Sequence, residues 1–118
     1  FRVMVRNELF RWVELLGRRA YGELVEREGS RDWSSDRLAG AMAPYWDEHD
    51  AVGIDATARS GDLFRLDEAT VPWSAAQTLA DPAGHHDWTI HARVRPDASD
   101  EESRAVLDLI EISTQPAP

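Results

Sequence analysis

The stretch LADPAGHHDW, at residues 79–88, places two histidines and an aspartate directly after a Pro/Gly pair. Imidazole and carboxylate groups are common metal ligands and common carriers of protons in acid–base catalysis. A second cluster of the same type, EHD at residues 48–50, follows a predicted helix. If the two clusters meet in the fold, they form a candidate group for proton transfer. The candidate catalytic residues are then His49, Asp50, His86 and Asp87.

A metal site within residues 79–88 alone has too few ligands. Neighbouring residues of a strand point to opposite faces, so His85 and His86 do not easily bind one ion, whereas His85 and Asp87 share a face. A structural zinc site needs four ligands, and the chain contains no cysteine. We therefore expect no metal in this domain and interpret Asp87 and a histidine as hydrogen-bond partners of the turn backbone.

The letters DPAG inside this stretch have the composition of a tight turn. Asp81 suits the first position, Pro82 fixes the second, and Gly84 takes a positive φ. We therefore predict that these three residues are structural and join strands 72–80 and 86–95 as an antiparallel hairpin. The second strand alternates clearly in polarity. Its predicted buried residues are Trp88, Ile90, Ala92 and Val94.

Helices precede these strands. Residues 1–27 are predicted to be helical, because apolar residues recur at three- and four-residue spacing. Gly17 and Gly22 weaken the middle, so this is either one bent helix or two pieces. Gly29 is predicted to be a left-handed cap at its end.

A second helix is predicted to begin at Ser34 or Ser35 and to reach about Asp47, with Pro44 bending it. Residues 63–66 predict a further strand, residues 105–112 favour a strand over a short helix, and a helical turn is predicted to begin at Ser99. The sum is a single α+β domain over residues 1–118, with two or three N-terminal helices packed on a curved antiparallel sheet of about four strands.

Composition limits the partners. The 118 residues carry a formal charge of −9, 42% of them are hydrophobic, and five are tryptophan, which we expect mainly in the core. Residues 1–19 carry a net charge of +3, which leaves −12 for the remainder, so only the first helix is suited to phosphate contact. The arginines of this segment are Arg2, Arg6, Arg11, Arg18 and Arg19. No apolar run is long enough to span a membrane, and the lack of cysteine is natural in the cytoplasm.

The order of elements and the ending RRAYGELVERE of the first helix resemble the nuclear transport factor 2-like group. In that group, helices pack into a curved sheet to form a cone. The resemblance implies an alternative function, a small-molecule-binding domain or an enzyme that uses a His/Asp pair inside the cone. That alternative predicts an apolar pocket into which His49 or His86 projects.

Four longer stretches resemble the C-terminal portion of bacterial DEAD/DEAH-box helicases, a portion catalogued as a domain of unknown function. They read FRVMVRNELFRWVELLGRR, YWDEHDAVGIDATARSGDLF, LADPAGHHDWTIHARV and ASDEESRAVLDLI. The resemblance covers about residues 1–113. Positions that match the family's wording include Glu48, His49, Asp50, Arg59, Asp81, Pro82, Gly84, His86, Asp87 and Trp88. At Ala75 and Ala76 the family has Val-Arg, at Ala56 and Thr57 it has Pro-Asp, and His85 replaces an acid.

The resemblance implies a non-catalytic accessory domain, cut from a longer helicase that works in the cytoplasm. The ATP site, with its magnesium, lies upstream in that family, and no cofactor is expected for this domain. The implied partners are the helicase motor of the same chain and, through the parent protein, nucleic acid, with Arg59 added to the arginines of the first helix as a contact. A homodimer formed through an exposed sheet face with Ile90 and Val94 is a further alternative.

Overall fold

The computed structural model describes residues 1–69, 71–95 and 104–114. Three helices come first and four strands follow, so the predicted α+β class and the strand number are confirmed. The elements are α1 (Arg2–Gly17), α2 (Tyr21–Arg27), α3 (Ser35–Glu48), a 3-10 turn (Gly61–Leu63), β1 (Phe64–Asp67), β2 (Ser74–Thr78), β3 (Thr89–Val94) and β4 (Leu107–Ser113). The helical turn predicted at Ser99 lies outside the described residues.

The predicted first helix is two helices, one of the two alternatives, and the break follows Gly17, with Arg19 in the left-handed conformation. Arg19 has a φ of 57°, and its N–H donates to Leu16 O at 3.0 Å, while the N–H of Ala20 donates to Leu15 O at 2.9 Å. This pair of bonds closes the end of α1 with a left-handed residue, the position that glycine usually takes.

Gly29 is not a left-handed cap, and this prediction was wrong. The residues of positive φ in the described chain are Arg19, Arg31, Gly84 and His86. Gly29 is instead closely packed by side chains, because a Cβ there would lie 2.8 Å from Asp108 Oδ1 and 2.9 Å from Arg95 Cδ, and these side chains would have to shift. Its N–H donates to Leu107 O at 2.8 Å, which fastens the end of α2 to β4.

The capping prediction for α3 is confirmed. Ser34 is the N-cap, and its hydroxyl accepts a hydrogen bond from the N–H of Arg37 at 3.1 Å. Pro44 lies inside the helix on its exposed side, and the helix continues beyond it to Glu48.

The sheet is antiparallel throughout, in the order β1-β2-β3-β4. Residues 105–112 were correctly predicted as a strand, since β4 covers most of them. A register shift between His91 and Ala92 interrupts the pairing of β3 with β4. No helix among the described residues is long and apolar enough to cross a membrane.

The helices pack on one face of the sheet and the core lies between them. The alternation in β3 was predicted correctly, because Trp88, Ile90, Ala92 and Val94 are all buried. Trp12 and Trp33 are buried as well, while Trp46 and Trp73 pack partly buried against the core. Since Ile90 and Val94 face the helices, they are not available for the dimer contact that the sequence suggested.

Candidate functional site

The turn after Leu79 has the predicted geometry. The N–H of Gly84 donates to Asp81 O at 3.0 Å, and Gly84 has a φ of 74°. The connection as a whole is longer than a tight hairpin, because β2 ends at Thr78 and β3 begins at Thr89. The N–H of Leu79 donates to Trp88 O at 2.8 Å, and this hydrogen bond joins the two ends of the connection between β2 and β3.

Asp81 organises this connection through its side chain. The carboxylate is 1% exposed and accepts the backbone N–H of His85 on Oδ1 at 3.0 Å and that of His86 on Oδ2 at 2.7 Å. Burial by itself raises the pKa of Asp81, but these two hydrogen bonds and the nearby His49 outweigh it, so the pKa lies below its ordinary value. The prediction that Asp87 and an imidazole bind the turn backbone was wrong, since Asp81 makes these contacts.

His49 is brought to the same place by the end of α3. Its N–H caps the helix by donating to Tyr45 O at 2.8 Å, and its imidazole is 5% exposed. His49 Nε2 lies 3.9 Å from Asp81 Oδ1. Two contacts fix the approach of these segments: Trp88 Nε1 donates to Glu48 Oε2 at 3.0 Å, and the N–H of Gly53 donates to Ala80 O at 2.8 Å.

Tyr45 packs beside this imidazole. The two ring centroids are 4.9 Å apart, and the hydroxyl of Tyr45 donates to Ala51 O at 2.6 Å. Burial, together with the charges of Asp81 and Asp50, raises the pKa of Tyr45 from 10.0 to about 12. Tyr45 is therefore a neutral hydrogen-bond donor here.

Three side chains converge at this corner of the fold, which we call the His–Asp corner (His49, Asp81 and His85). One ligand atom from each lies within 4.8 Å of the other two. Of the predicted catalytic residues, only His49 belongs to it, since Asp50, His86 and Asp87 are exposed and lie outside the group. Asp81 was not predicted as a partner of His49, because the turn chemistry already gave it a structural role.

A hollow of about 530 Å³ adjoins the corner at the surface. It is lined by Trp46, Asp47, Glu48, His49, Asp50, Pro82 and Ala83. These residues come from the end of α3 and from the turn, so the hollow does not lie between the helices and the inner face of the sheet.

The outer face of the sheet carries a second hollow, of about 610 Å³. His91 lies on this face as predicted, paired across the strands with Ala76 and Glu111. Unlike a solvent-facing residue, His91 is only 6% exposed, and its Nε2 has no hydrogen-bond partner in the described part of the chain. Arg65 and Arg93 line the same hollow.

The arginines suggested for partner contact fall into separate groups. Arg6 donates to the backbone oxygen of Arg59, whose guanidinium stacks on the ring of Phe10 at 4.6 Å, and Arg2 lies one turn before Arg6 on α1. We call Arg2, Arg6 and Arg59 the N-terminal arginine group.

The other arginines of this segment lie elsewhere. Arg11 is five residues beyond Arg6, about 140° around the helix, and pairs with Glu14 at 3.8 Å and Glu23 at 3.9 Å. Arg19 stacks on Trp46 at 4.2 Å, and Arg18 is exposed. The arginines of residues 1–19 therefore do not form one continuous face.

Two buried glutamates were not recognised in the sequence. Glu8 accepts hydrogen bonds from Trp12 Nε1 at 3.1 Å and from Arg27 at 3.0 and 2.7 Å, with Arg104 at 3.4 Å. Glu8 lies four residues before Trp12 on the apolar side of α1, and this spacing could have predicted a contact between the two side chains.

The second is Glu28, which is 2% exposed. It accepts the N–H groups of Ser30 at 2.9 Å, Arg31 at 2.8 Å and Leu109 at 3.1 Å. It joins the end of α2 to β4 across 81 positions of sequence, and nothing local in the sequence marks it for this role.

Comparison with known protein families identifies the family of this chain. Residues 1–112 match the family described as Domain of unknown function (DUF3516). The chain belongs to this family. No curated protein and no solved structure matches it. The family match covers every residue of the His–Asp corner and of the N-terminal arginine group.

Proposed function

We propose that this domain is a non-catalytic accessory module of an ATP-dependent DEAD/DEAH-box helicase in the cytoplasm, which uses the N-terminal arginine group to contact nucleic acid held by the motor. The resemblance of four stretches in order and spacing supports the link to helicases. ATP and magnesium belong to the motor in this proposal, and the domain itself needs neither. The motor of the same chain is its second partner.

The observation that carries the proposal is the convergence of Arg2, Arg6 and Arg59. Arg59 is 53 positions from Arg6, yet the fold joins them through a hydrogen bond. Arg2 is 58% exposed in its side chain, and within the described residues it has one weak ion pair, with Glu68 at 3.5 Å. An exposed cationic group on an otherwise acidic body is suited to bind phosphates locally while the rest of the surface repels them.

The alternative, a cone-type small-molecule binder or an enzyme using a His/Asp pair, has less support. That function needs an apolar pocket enclosed between helices and sheet. In the described chain this space holds tightly packed residues, among them Leu9, Trp12 and Ile90, all 0% exposed. His49 borders a surface hollow instead, and His86 is exposed.

The test uses the full-length helicase and measures its affinity for single-stranded nucleic acid over a range of salt concentrations. Each arginine that contacts a phosphate adds about 0.7 to the slope of log affinity against log salt. The triple variant Arg2→Gln, Arg6→Gln, Arg59→Gln should therefore lower the slope by about 2. A control with the same change in charge replaces the exposed Arg31, Arg65 and Arg93 with Gln and should leave the slope unchanged.

Two outcomes count against the proposal. Equal slopes in the wild type and in the arginine-group variant exclude phosphate contact by these residues. A lower slope in the control variant alone would move the contact to the outer face of the sheet, where Arg65 and Arg93 lie.

A further inference from the structure

We propose that His49, Asp81 and His85 bind a divalent transition-metal ion of the zinc class. This inference is independent of the helicase proposal, because it involves none of the residues of the N-terminal arginine group and needs no nucleic acid. It rests on the three ligand atoms of the His–Asp corner, which lie within 4.8 Å of one another. The ligands come from two segments that are 32 positions apart in sequence.

The spacing of the ligand atoms fits a shared ion better than a direct hydrogen bond. His49 Nε2 and Asp81 Oδ1 are 3.9 Å apart, beyond the length of a hydrogen bond. Two ligands bound tetrahedrally to zinc, each about 2.0–2.1 Å from the ion, are about 3.4 Å apart. The two groups would have to approach by about 0.5 Å to reach that separation, and the ligand atom of His85 already lies within 4.8 Å of both.

Asp81 is already held as a metal-binding carboxylate is held. The backbone N–H groups of His85 and His86 each bond one of its oxygens, which fixes the plane of the carboxylate. An ionised carboxylate has about four acceptor positions, so two hydrogen bonds leave capacity for a metal. Secondary contacts of this kind orient the ligands in metal sites generally.

The burial and orientation of the His49 side chain also support a metal site. Its side chain is 95% removed from solvent, since 5% is exposed. Its Nε2 faces the Asp81 carboxylate at 3.9 Å, a distance that makes an ion pair when the imidazole is protonated but is too long for a hydrogen bond. Among the described residues, His91 Nε2 is the one side-chain atom that is both buried and without a hydrogen-bond partner, so the imidazole nitrogens of His49 still reach solvent and are open to a metal ion.

The ligand set selects the class of ion. Two imidazole nitrogens and one carboxylate oxygen suit zinc and its neighbours in the first transition row, whereas magnesium and calcium prefer oxygen alone. Three protein ligands leave a fourth position for water, as in zinc sites that are not purely structural. This position borders the surface hollow at the end of α3, so small ligands have access to it.

Neighbouring histidines provide a matched pair of variants. His85 and His86 are both exposed and lie in the same turn, but only His85 belongs to the group of ligands. Asparagine tolerates the left-handed backbone of His86, whose φ is 56°, so His86→Asn leaves the turn intact. His85→Asn makes the same substitution one residue earlier, so the two variants differ in whether a proposed ligand is removed.

The experiment is a titration of the chain with zinc, followed by calorimetry, and with cobalt(II), followed by visible absorption. We expect one ion per chain and an intense tetrahedral cobalt band. His85→Asn should weaken binding at least about tenfold, as should His49→Gln, whereas His86→Asn should bind like the wild type. Circular dichroism melting confirms that each variant is folded before titration.

Each contrary result overturns the proposal. Failure of the folded wild type to bind either metal excludes the site. Equal losses in His85→Asn and His86→Asn would mean that the ion binds to exposed imidazoles and not at the His–Asp corner. A weak octahedral cobalt spectrum would exclude the three-ligand geometry.

Discussion

Glu8 and Asp81 are both buried carboxylates, but they lie among different partners. Glu8 is surrounded by cationic and N–H donors, with Arg27 bonded to both of its oxygens and Trp12 to one. Asp81 receives two backbone N–H groups and then faces the imidazole of His49 across 3.9 Å without a hydrogen bond. The first carboxylate is fully committed to the fold, while the second keeps acceptor capacity.

The difference separates a structural role from a functional one. A buried carboxylate paired with arginine holds elements together, because arginine is always charged and forms fixed, two-pronged hydrogen bonds. Imidazole has one free acceptor nitrogen when neutral, so a carboxylate beside it can share a proton or an ion. Comparable burial therefore does not imply a comparable role.

The largest expected effect on stability comes from removing the carboxylate of Glu8. Glu8→Ala leaves Arg27 and the indole N–H of Trp12 without their partner, and we expect it to lower the free energy of unfolding by about 3–5 kcal/mol. Denaturant unfolding measures this. Glu14→Ala is the matched control on the same helix, because its pair with Arg11 is half-exposed, and it should cost less than about 1 kcal/mol. Equal losses would contradict the distinction.

Zinc should raise the free energy of unfolding by binding at the His–Asp corner, and the Glu8 site should take no part in this gain. Zinc at a hundredfold excess over its dissociation constant should raise the free energy of unfolding by about 2.7 kcal/mol in the wild type. The same gain should remain in Glu14→Ala, and it should be mostly lost in His85→Asn. Denaturant melts with zinc and with a chelator give this comparison, and a gain of equal size in His85→Asn would count against it.

Two glycine substitutions test whether the packing around Gly29, next to Glu28, constrains that position. Gly29→Ala places a methyl group 2.8 Å from Asp108 Oδ1, and overpacking of this kind costs about 1–3 kcal/mol. Open space surrounds the position that a Cβ would take at Gly40, in the middle of α3, so Gly40→Ala should stabilise the helix by about 0.5–1 kcal/mol. Opposite signs in thermal or denaturant unfolding are the expected result, and two stabilising substitutions would show that Gly29 is not constrained.

The smallest effect concerns the alkaline range. Because the fold raises the pKa of Tyr45 from 10.0 to about 12, the unfolded chain loses this proton first as pH rises. The contribution of Tyr45 to stability is complete below pH 10.0 and is lost as the pH rises through about 12. Unfolding experiments above pH 10.0 should show a shallower loss of stability in Tyr45→Phe than in the wild type. Identical pH profiles would be contrary to this.

The local features of the fold were predictable from sequence. The alternation in β3 predicted that Ile90, Ala92 and Val94 are buried in the core, because a strand has a period of two, but it did not predict that His91 on the other face is buried as well. Ser34 was predictable as a cap and Gly84 as a residue of positive φ, because both effects act within a few residues. The class and the order of helices and strands follow from such signals.

The candidate site was predictable only in part. The residue types at the turn and at the end of α3 were visible, and their meeting was suggested. The sequence could not show that His49 meets Asp81 instead of Asp87, since that depends on how α3 packs against the sheet. The same limit applies to Glu8, whose partner Arg104 is 96 positions away. A ligand set confined to residues 79–88 does not include His49, which the fold brings to Asp81 from 32 positions away.

X-ray absorption spectroscopy of the zinc-loaded chain tests the central claim most directly, which is that Asp81 faces two imidazoles as a ligand. We predict a four-coordinate ion with nitrogen and oxygen ligands at about 2.0–2.1 Å and outer-sphere scattering from two imidazoles, reduced to one in His85→Asn. A shell of six oxygens without imidazole scattering would contradict the assignment.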